Sequence, residues 1–204
     1  MVGKSMSARE QILGRVRDAL GKRETAAPVT REYRQSVPVD IEQFIDRLVD
    51  YNATVYRSDE AGIPNAIAQA IVVRNKRSLV MPPGLPEAWH PSGLRDAGLT
   101  HTELDAVEGV LTACTAAISI TGTIILTHGP MEGRRALTLI PDYHLCVVFA
   151  HQVVETVPEA IRSLHPHLPR PITTISGPSA TADIEMTRIK GVHGPRTLDV
   201  ILVA

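Results

Sequence analysis

Aromatic side chains are scarce in this chain: 204 residues hold one Trp, two Phe and four Tyr, 3% in all. The core must therefore come from Val, Ile, Leu and Ala, a composition that suits buried parallel strands and close helix packing. Cysteine is almost as rare. Cys114 and Cys146 stand alone, with no C-x-x-C, which argues against an iron–sulfur cluster or a zinc knuckle in this chain. Two buried free thiols in a reducing cytoplasm are the expected state. No uninterrupted apolar run reaches the ~18 residues of a membrane span. No signal-peptide pattern opens the sequence either, so a cytoplasmic protein with no membrane partner is expected.

Charge of one sign is also missing overall. The formal net charge is −1, yet Met1 to Arg34 holds eight Lys/Arg against four Asp/Glu. That basic arm has one Tyr and neither Phe nor Trp, so base stacking has little to work with and nucleic acid is not expected. Eight histidines are present, but no H-E-x-x-H or two-His-plus-carboxylate spacing, so no metal is expected.

What is present reads as an arm followed by one α/β domain. Ser7 and Glu10 form a capping box, Ile12, Leu13, Val16 and Leu20 make a stripe at helical spacing, and Gly21 ends it. Residues 1–38 are thus an amphipathic helix and linker, and 39–204 the α/β domain. A short helix cannot hide its stripe alone, so the arm is expected to dock on its own domain, on a second copy or on a partner. Asp40 caps a second helix, and the sequence predicts strands near 53–56 and 78–81 with a helix over 63–74. Further on, Thr112 to Ala117 reads as a short helix, Ser119 to Thr127 as a strand, Leu145 to Ala150 as a strand and Val157 to Leu164 as a helix, with Ile172 to Ser176 and Leu198 to Val203 as the strands that complete the sheet. This alternation predicts a mainly parallel sheet with helices on both faces. The Pro82-Pro83-Gly84 loop lies at the carboxyl end of its strand, where open α/β sheets usually bind ligands.

Three constellations carry chemistry. Around Ser176-Gly177-Pro178-Ser179, an apolar strand is followed by a tight small-residue turn. A helix is expected to start at Ser179, with Asp183 and Glu185 near its start, Arg188 and Lys190 near its end and Gly191 as the stop. Amides of Gly177, Ser179, Ala180 and Thr181 would then face an anion, unless the turn is an ordinary cap. The second is Thr121-Gly122-Thr123, whose Gly admits close approach of backbone or ligand. The third is Arg134-Arg135, suited to forked hydrogen bonds with a small carboxylate unless they serve as surface salt-bridge formers. His144 and His193 sit where a proton donor or acceptor, or a structural hydrogen bond, would serve.

Several of these segments, ITTISGPSATADIEMTRIKGVHGP over 172–195, the T-G-T at 121–123, Gly133-Arg134-Arg135-Ala136-Leu137 and the Pro141 to Ala150 strand, resemble the LUD-domain family. The resemblance implies a NagB/RpiA/CoA-transferase-like fold. It also implies a part in using L-lactate as a carbon source, in a multi-protein system that oxidises it to pyruvate. In that system the iron–sulfur clusters sit on separate partner proteins, so no cofactor is expected in this chain. The expectation is a non-redox accessory or substrate-handling subunit. Two other readings stand beside it: a stand-alone enzyme of CoA-transferase or sugar-phosphate isomerase type, and an anion-sensing or structural module. The family usually carries a carboxylate just before T-G-T; Ile120 holds that place here, which counts against covalent acyl chemistry.

Overall fold

A computed structural model of the protein describes residues 7–21, 37–90, 92–182, 188–190 and 194–204. They fall into two compact units, Met1–Arg34 and Gln35–Ala204. In the first, α1 (Ala8–Leu20) forms as its cap predicts: the Glu10 amide donates to the Ser7 hydroxyl, and the Ser7 amide donates to the Glu10 carboxylate. Gly21 ends the helix at φ +56°. Ile12 is 60% and Leu20 56% exposed.

The second unit runs α2 (Ile41–Asp50), β1 (Thr54–Ser58), α3 (Ile63–Val73), β2 (Leu79–Met81), β3 (Leu94–Arg95), α4 (His101–Asp105), β4 (Gly109–Ala113), β5 (Ala116–Ile118), β6 (Thr123–Leu126), β7 (Tyr143–Phe149), β8 (Val153–Val154), α5 (Val157–Ser163), β9 (Thr173–Ile175), β10 (Ala180–Ala182), β11 (Arg188–Lys190) and β12 (Thr197–Val203). Six strands form one sheet in the order β1-β12-β7-β4-β2-β3, and every pairing in it is parallel. This is the parallel α/β sheet that the helix–strand alternation predicts.

Alternate residues of its central strands serve opposite faces. Leu145, Val147 and Ile201 pack with Ile63 and Ile67 of α3 on one side. Cys146, Val148 and Val200 pack with Phe44 and Leu48 of α2 on the other. Near the edge of the first face the charged pair Arg74–Asp199 is buried at its acidic end, and the Tyr143 hydroxyl donates to the same carboxylate at 3.0 Å.

Three sequence expectations give way here. Thr112 to Ala117 is not a helix; it supplies the end of β4 and the start of β5. The segment lies between two strands in the sheet interior, and backbone pairing there outweighs the weak helical preference of a few small residues. The strand expected over 119–127 shortens to β6, because 119–122 makes a turn in which the Gly122 amide donates to the Ser119 carbonyl at 3.1 Å. The strand before Ser176 does not join the main sheet. β9 pairs with β6 in a second sheet, order β8-β5-β6-β9, which lies on the α2 side of the core.

The carboxyl end of β2 is also closed. The chain leaves β2 toward β3 and leaves β4 the opposite way toward β7, which makes β2/β4 the switch point where a ligand crevice is expected. The protein fills it with its own turn: the Gly84 amide donates to the Pro130 carbonyl at 3.0 Å, and Arg95 donates to the Pro82 and Leu85 carbonyls. Buried Glu132 locks that turn by accepting from the Thr127 amide at 2.6 Å and the Gly129 amide at 3.2 Å.

Candidate functional site

A cavity of about 240 Å³ opens at the other end of the sheet, beside the amino ends of β7 and β12. His144 is the second residue of β7 and Leu198 the second of β12, and both line it. Arg135 and Thr138, from a 3-10 turn spanning Arg135–Thr138, form a second wall. The third wall is β9 and the chain that follows, Thr173 to Ser179. Gly194 and Pro195 close it where the chain returns to β12.

The turn at 177–179 is thus beside a cavity, but not as a helix start. Ala180 and Thr181 lie in β10, which pairs antiparallel with β11, so Arg188 and Lys190 belong to a strand rather than to a helix end. The Ser179 amide, expected to be open to an anion, donates to the Pro195 carbonyl at 2.8 Å. That bond ties the strand exit to the returning chain and removes the reason for a helix to begin there. Asp183, Glu185, Gly191 and His193 lie outside the described residues.

The two arginines part company. Arg134 forks onto Asp96, Nε to Oδ2 at 2.8 Å and Nη2 to Oδ1 at 3.0 Å, and donates to the Leu99 carbonyl as well. The guanidinium holds the Asp96 carboxyl below the usual carboxylate range, helped by the amides of Leu99 and Gly98. This arginine is a strut between the 3-10 turn and the loop after β3, and it does not line the cavity. Arg135 does. Its guanidinium makes a long hydrogen bond, 3.4 Å from Nη1 to the Thr138 hydroxyl, and it forms no ion pair among the described residues.

Thr121, Gly122 and Thr123 stand one layer back. Thr121 and Thr123 share a hydroxyl hydrogen bond of 2.8 Å, and Thr123 shares another of 2.8 Å with Ser176, which does line the cavity. Gly122 has φ +59°, and its position is set by α2 rather than by a ligand: a Cβ there would lie 2.6 Å from the Arg47 Cβ. Ile120, in the place where the family usually has an acid, is 47% exposed and lines no part of the cavity.

His144 is buried, with Nε2 2.8 Å from the Thr112 hydroxyl, and that hydroxyl is also 3.7 Å from the Cys146 sulfur. Both thiols are buried, and hydrogen bonding with Cys146, followed by burial, pushes the Cys114 thiol up.

Sequence reasoning missed His128, which has φ +56° in the His128-Gly129-Pro130 turn. Its Nδ1 lies 3.0 Å from the Gly133 carbonyl and its Nε2 2.8 Å from the Thr173 hydroxyl. A carbonyl only accepts, so Nδ1 carries a proton, and in the neutral ring Nε2 accepts from Thr173. His128 therefore fixes a hydroxyl on the cavity wall. Its sequence signal was a bulky residue directly before Gly-Pro, and only the left-handed backbone makes that meaningful.

The assembled wall has one guanidinium, one imidazole and the hydroxyls of Thr138, Thr173, Thr174, Ser176 and Ser179, with no Asp or Glu among the described lining residues. Such a surface favours a small anion with further oxygen atoms over a cation or a purely apolar ligand. Among the described residues no group of three or more His, Cys, Asp or Glu could hold a metal, and no helix is long and apolar enough to cross a membrane.

Comparison with known proteins fits this organisation. Lactate utilization protein C of Deinococcus radiodurans is 48% identical over 169 residues, 80% of this chain and 79% of that protein. An uncharacterized protein of Neisseria meningitidis serogroup B is 25% identical over 223 residues, 97% of this chain and 94% of its own. The crystal structure of a DUF162 family protein from Deinococcus radiodurans superposes with a TM-score of 0.71 at 42% identity, covering 82% of this chain and 100% of that one. The LUD domain profile matches residues 87–203, which include β4, β7, β12 and every described wall of the cavity. The chain belongs to the LUD-domain family.

Proposed function

We propose that this protein serves lactate utilization as a non-redox, substrate-handling subunit, holding a small carboxylate such as lactate or pyruvate in the cavity beside β7 and β12. The observation that carries this reading is Arg135: a guanidinium in a cavity wall, without an acidic partner among the described residues, surrounded by hydroxyls. The names of its relatives support the choice of acid. The lack of any cluster-binding cysteine pattern supports placing electron transfer on separate iron–sulfur proteins. A stand-alone enzyme of CoA-transferase type has less support, since no carboxylate or lysine lines the cavity among the described residues.

The ligand half is tested by thermal unfolding with L-lactate and pyruvate. A ligand at ~100 Kd adds ~2.7 kcal/mol of stability, and at ~2–4 °C per kcal/mol the melting temperature should rise by about 5–10 °C. Arg135→Gln should abolish the rise, while Arg47→Gln, on the exposed side of α2, should keep it. A rise that persists in Arg135→Gln, or none with either acid, removes the ligand reading. The assembly half is tested by purifying the native protein from cells grown on lactate. Iron–sulfur proteins should come with it, and their absence would leave no subunit role.

A further inference from the structure

A second hollow lies at the opposite ends of the same strands. It measures about 680 Å³ and sits over the carboxyl-terminal residues of β4, β7 and β12. Its floor is Ala113 and Val203; Met131 and Phe149 form its apolar wall, and Glu60 and His151 its polar rim. Pockets of ~300–1,000 Å³ with mostly apolar lining and a few polar groups are the usual form of small-molecule sites. The carboxyl ends of parallel strands are also their usual place in α/β sheets.

The walls are pinned in position. The Ala113 amide donates to the Met131 carbonyl at 3.0 Å, which holds Met131 over the end of β4. Gln152 accepts from the Phe149 amide at 2.9 Å and donates to the Cys114 carbonyl at 2.8 Å, so the turn that carries His151 is clamped back onto β7. The Ala204 amide donates to the Ser58 carbonyl at 3.1 Å, joining the end of β12 to the loop that bears Glu60. The aromatic groups form a row: Trp89 and Phe149 have centroids 6.3 Å apart, and Phe149 and His151 5.4 Å apart.

The electrostatics are opposite to those of the first cavity. A carboxylate lines this hollow and no Lys or Arg does, so an anion is disfavoured and a group that donates hydrogen bonds is welcome. Flat aromatic and thioether walls add affinity for a ring face. We propose that this hollow is a second ligand site, for a planar heteroaromatic group, uncharged or cationic, that carries N–H or O–H donors toward Glu60.

Trp89 is the single tryptophan of the chain and touches the aromatic row, so its fluorescence reports on the hollow. The full chain is titrated with adenosine and with 1-methylnicotinamide, in the presence and absence of L-lactate. At least one ring probe is expected to change Trp89 emission saturably, and lactate should not displace it. His151 and Glu60 are both exposed, so His151→Ala and Glu60→Gln should fold normally and each weaken binding at least about fivefold. Neither probe giving a saturable signal, or either variant binding as the unmodified chain does, overturns the proposal.

Discussion

Arg74→Ala should cost the protein about 3 kcal/mol of stability, read as a lower urea midpoint at unchanged slope and a melting temperature lower by roughly 10 °C. Asp199 is 0% exposed on β12, between β1 and β7, and Arg74 reaches it from the end of α3 with Nη2 2.5 Å from Oδ1 and Nε 2.9 Å from Oδ2. Nη2 also donates to the Thr54 hydroxyl at 2.7 Å, which binds β1 into the same group. Burial, with Asp199 next, pushes the Tyr143 phenol well up, so it remains a donor to that carboxylate. Removing Arg74 leaves a buried carboxylate without its cation, and truncating one partner of a buried pair costs ~3–5 kcal/mol. The lower end applies because the Arg74 side chain is 30% exposed and water can partly replace it. Replacing both partners, as Arg74→Met with Asp199→Leu, should recover most of the loss, since no bare charge remains. If the single variant loses less than ~1 kcal/mol, the pair is not what neutralises Asp199.

That pair also marks where sequence reading stops. Asp199 lies in an apolar strand and Arg74 at the end of a helix 125 positions earlier, and nothing local in either announces the other. The caps at Ser7 and Asp40 were legible because their whole chemistry spans three residues: the Gln43 amide donates to Asp40 at 3.0 Å as the spacing predicts. The mainly parallel sheet was legible for a similar reason, through runs such as 145–149 that suit burial on both faces. The pattern at 179 misled for the same local reason. Ser, then acids, then bases imitates a capped helix, but the Ser179 amide is claimed by Pro195, which no window of that length contains. Tertiary pairing overrides propensity in such short segments.

Arg134 and Arg135 are the sharper case. As neighbours they are equivalent in sequence, and what separates them is Asp96, 38 positions upstream, whose fork takes one guanidinium out of use. The cavity then inherits the other. Its location is equally non-local, because the usual crevice at the carboxyl end of β2 is stoppered by the 128–133 turn, and that turn is held by Glu132, a residue that no local pattern marks. The same turn also carries His128, which orients the cavity hydroxyl of Thr173. One piece of chain therefore closes the crevice at the end of β2 and helps furnish the cavity at the other end of the sheet.

Gly122→Ala and Gly177→Ala should each destabilise by about 2–5 kcal/mol, because Gly122 meets the last turn of α2 and Gly177 meets Tyr51, the residue that caps it. Gly122 has φ +59° and an added Cβ would lie 3.0 Å from the Arg47 carbonyl carbon and 3.2 Å from the Leu48 amide nitrogen. Gly177 has φ +86°, and its Cβ would lie 2.5 Å from the Tyr51 Cβ and 3.2 Å from the Tyr51 carbonyl oxygen. A left-handed alanine costs ~1–2 kcal/mol by itself, and forcing atoms into a packed contact adds ~1–3 kcal/mol. The obstacles are backbone and Cβ atoms of α2 and of Tyr51 directly after it, which cannot swing aside as a long side chain would. Chemical denaturation measures both losses, and a cost below ~1 kcal/mol would mean that α2 yields easily. The two variants should differ in binding. Gly177 lines the anion cavity and Gly122 does not, so at a temperature where both remain folded, Gly177→Ala should weaken the carboxylate ligand while Gly122→Ala leaves it nearly unchanged. Equal effects on binding would mean that the T-G-T turn and the cavity wall move as one body through α2 and the Thr123–Ser176 hydrogen bond.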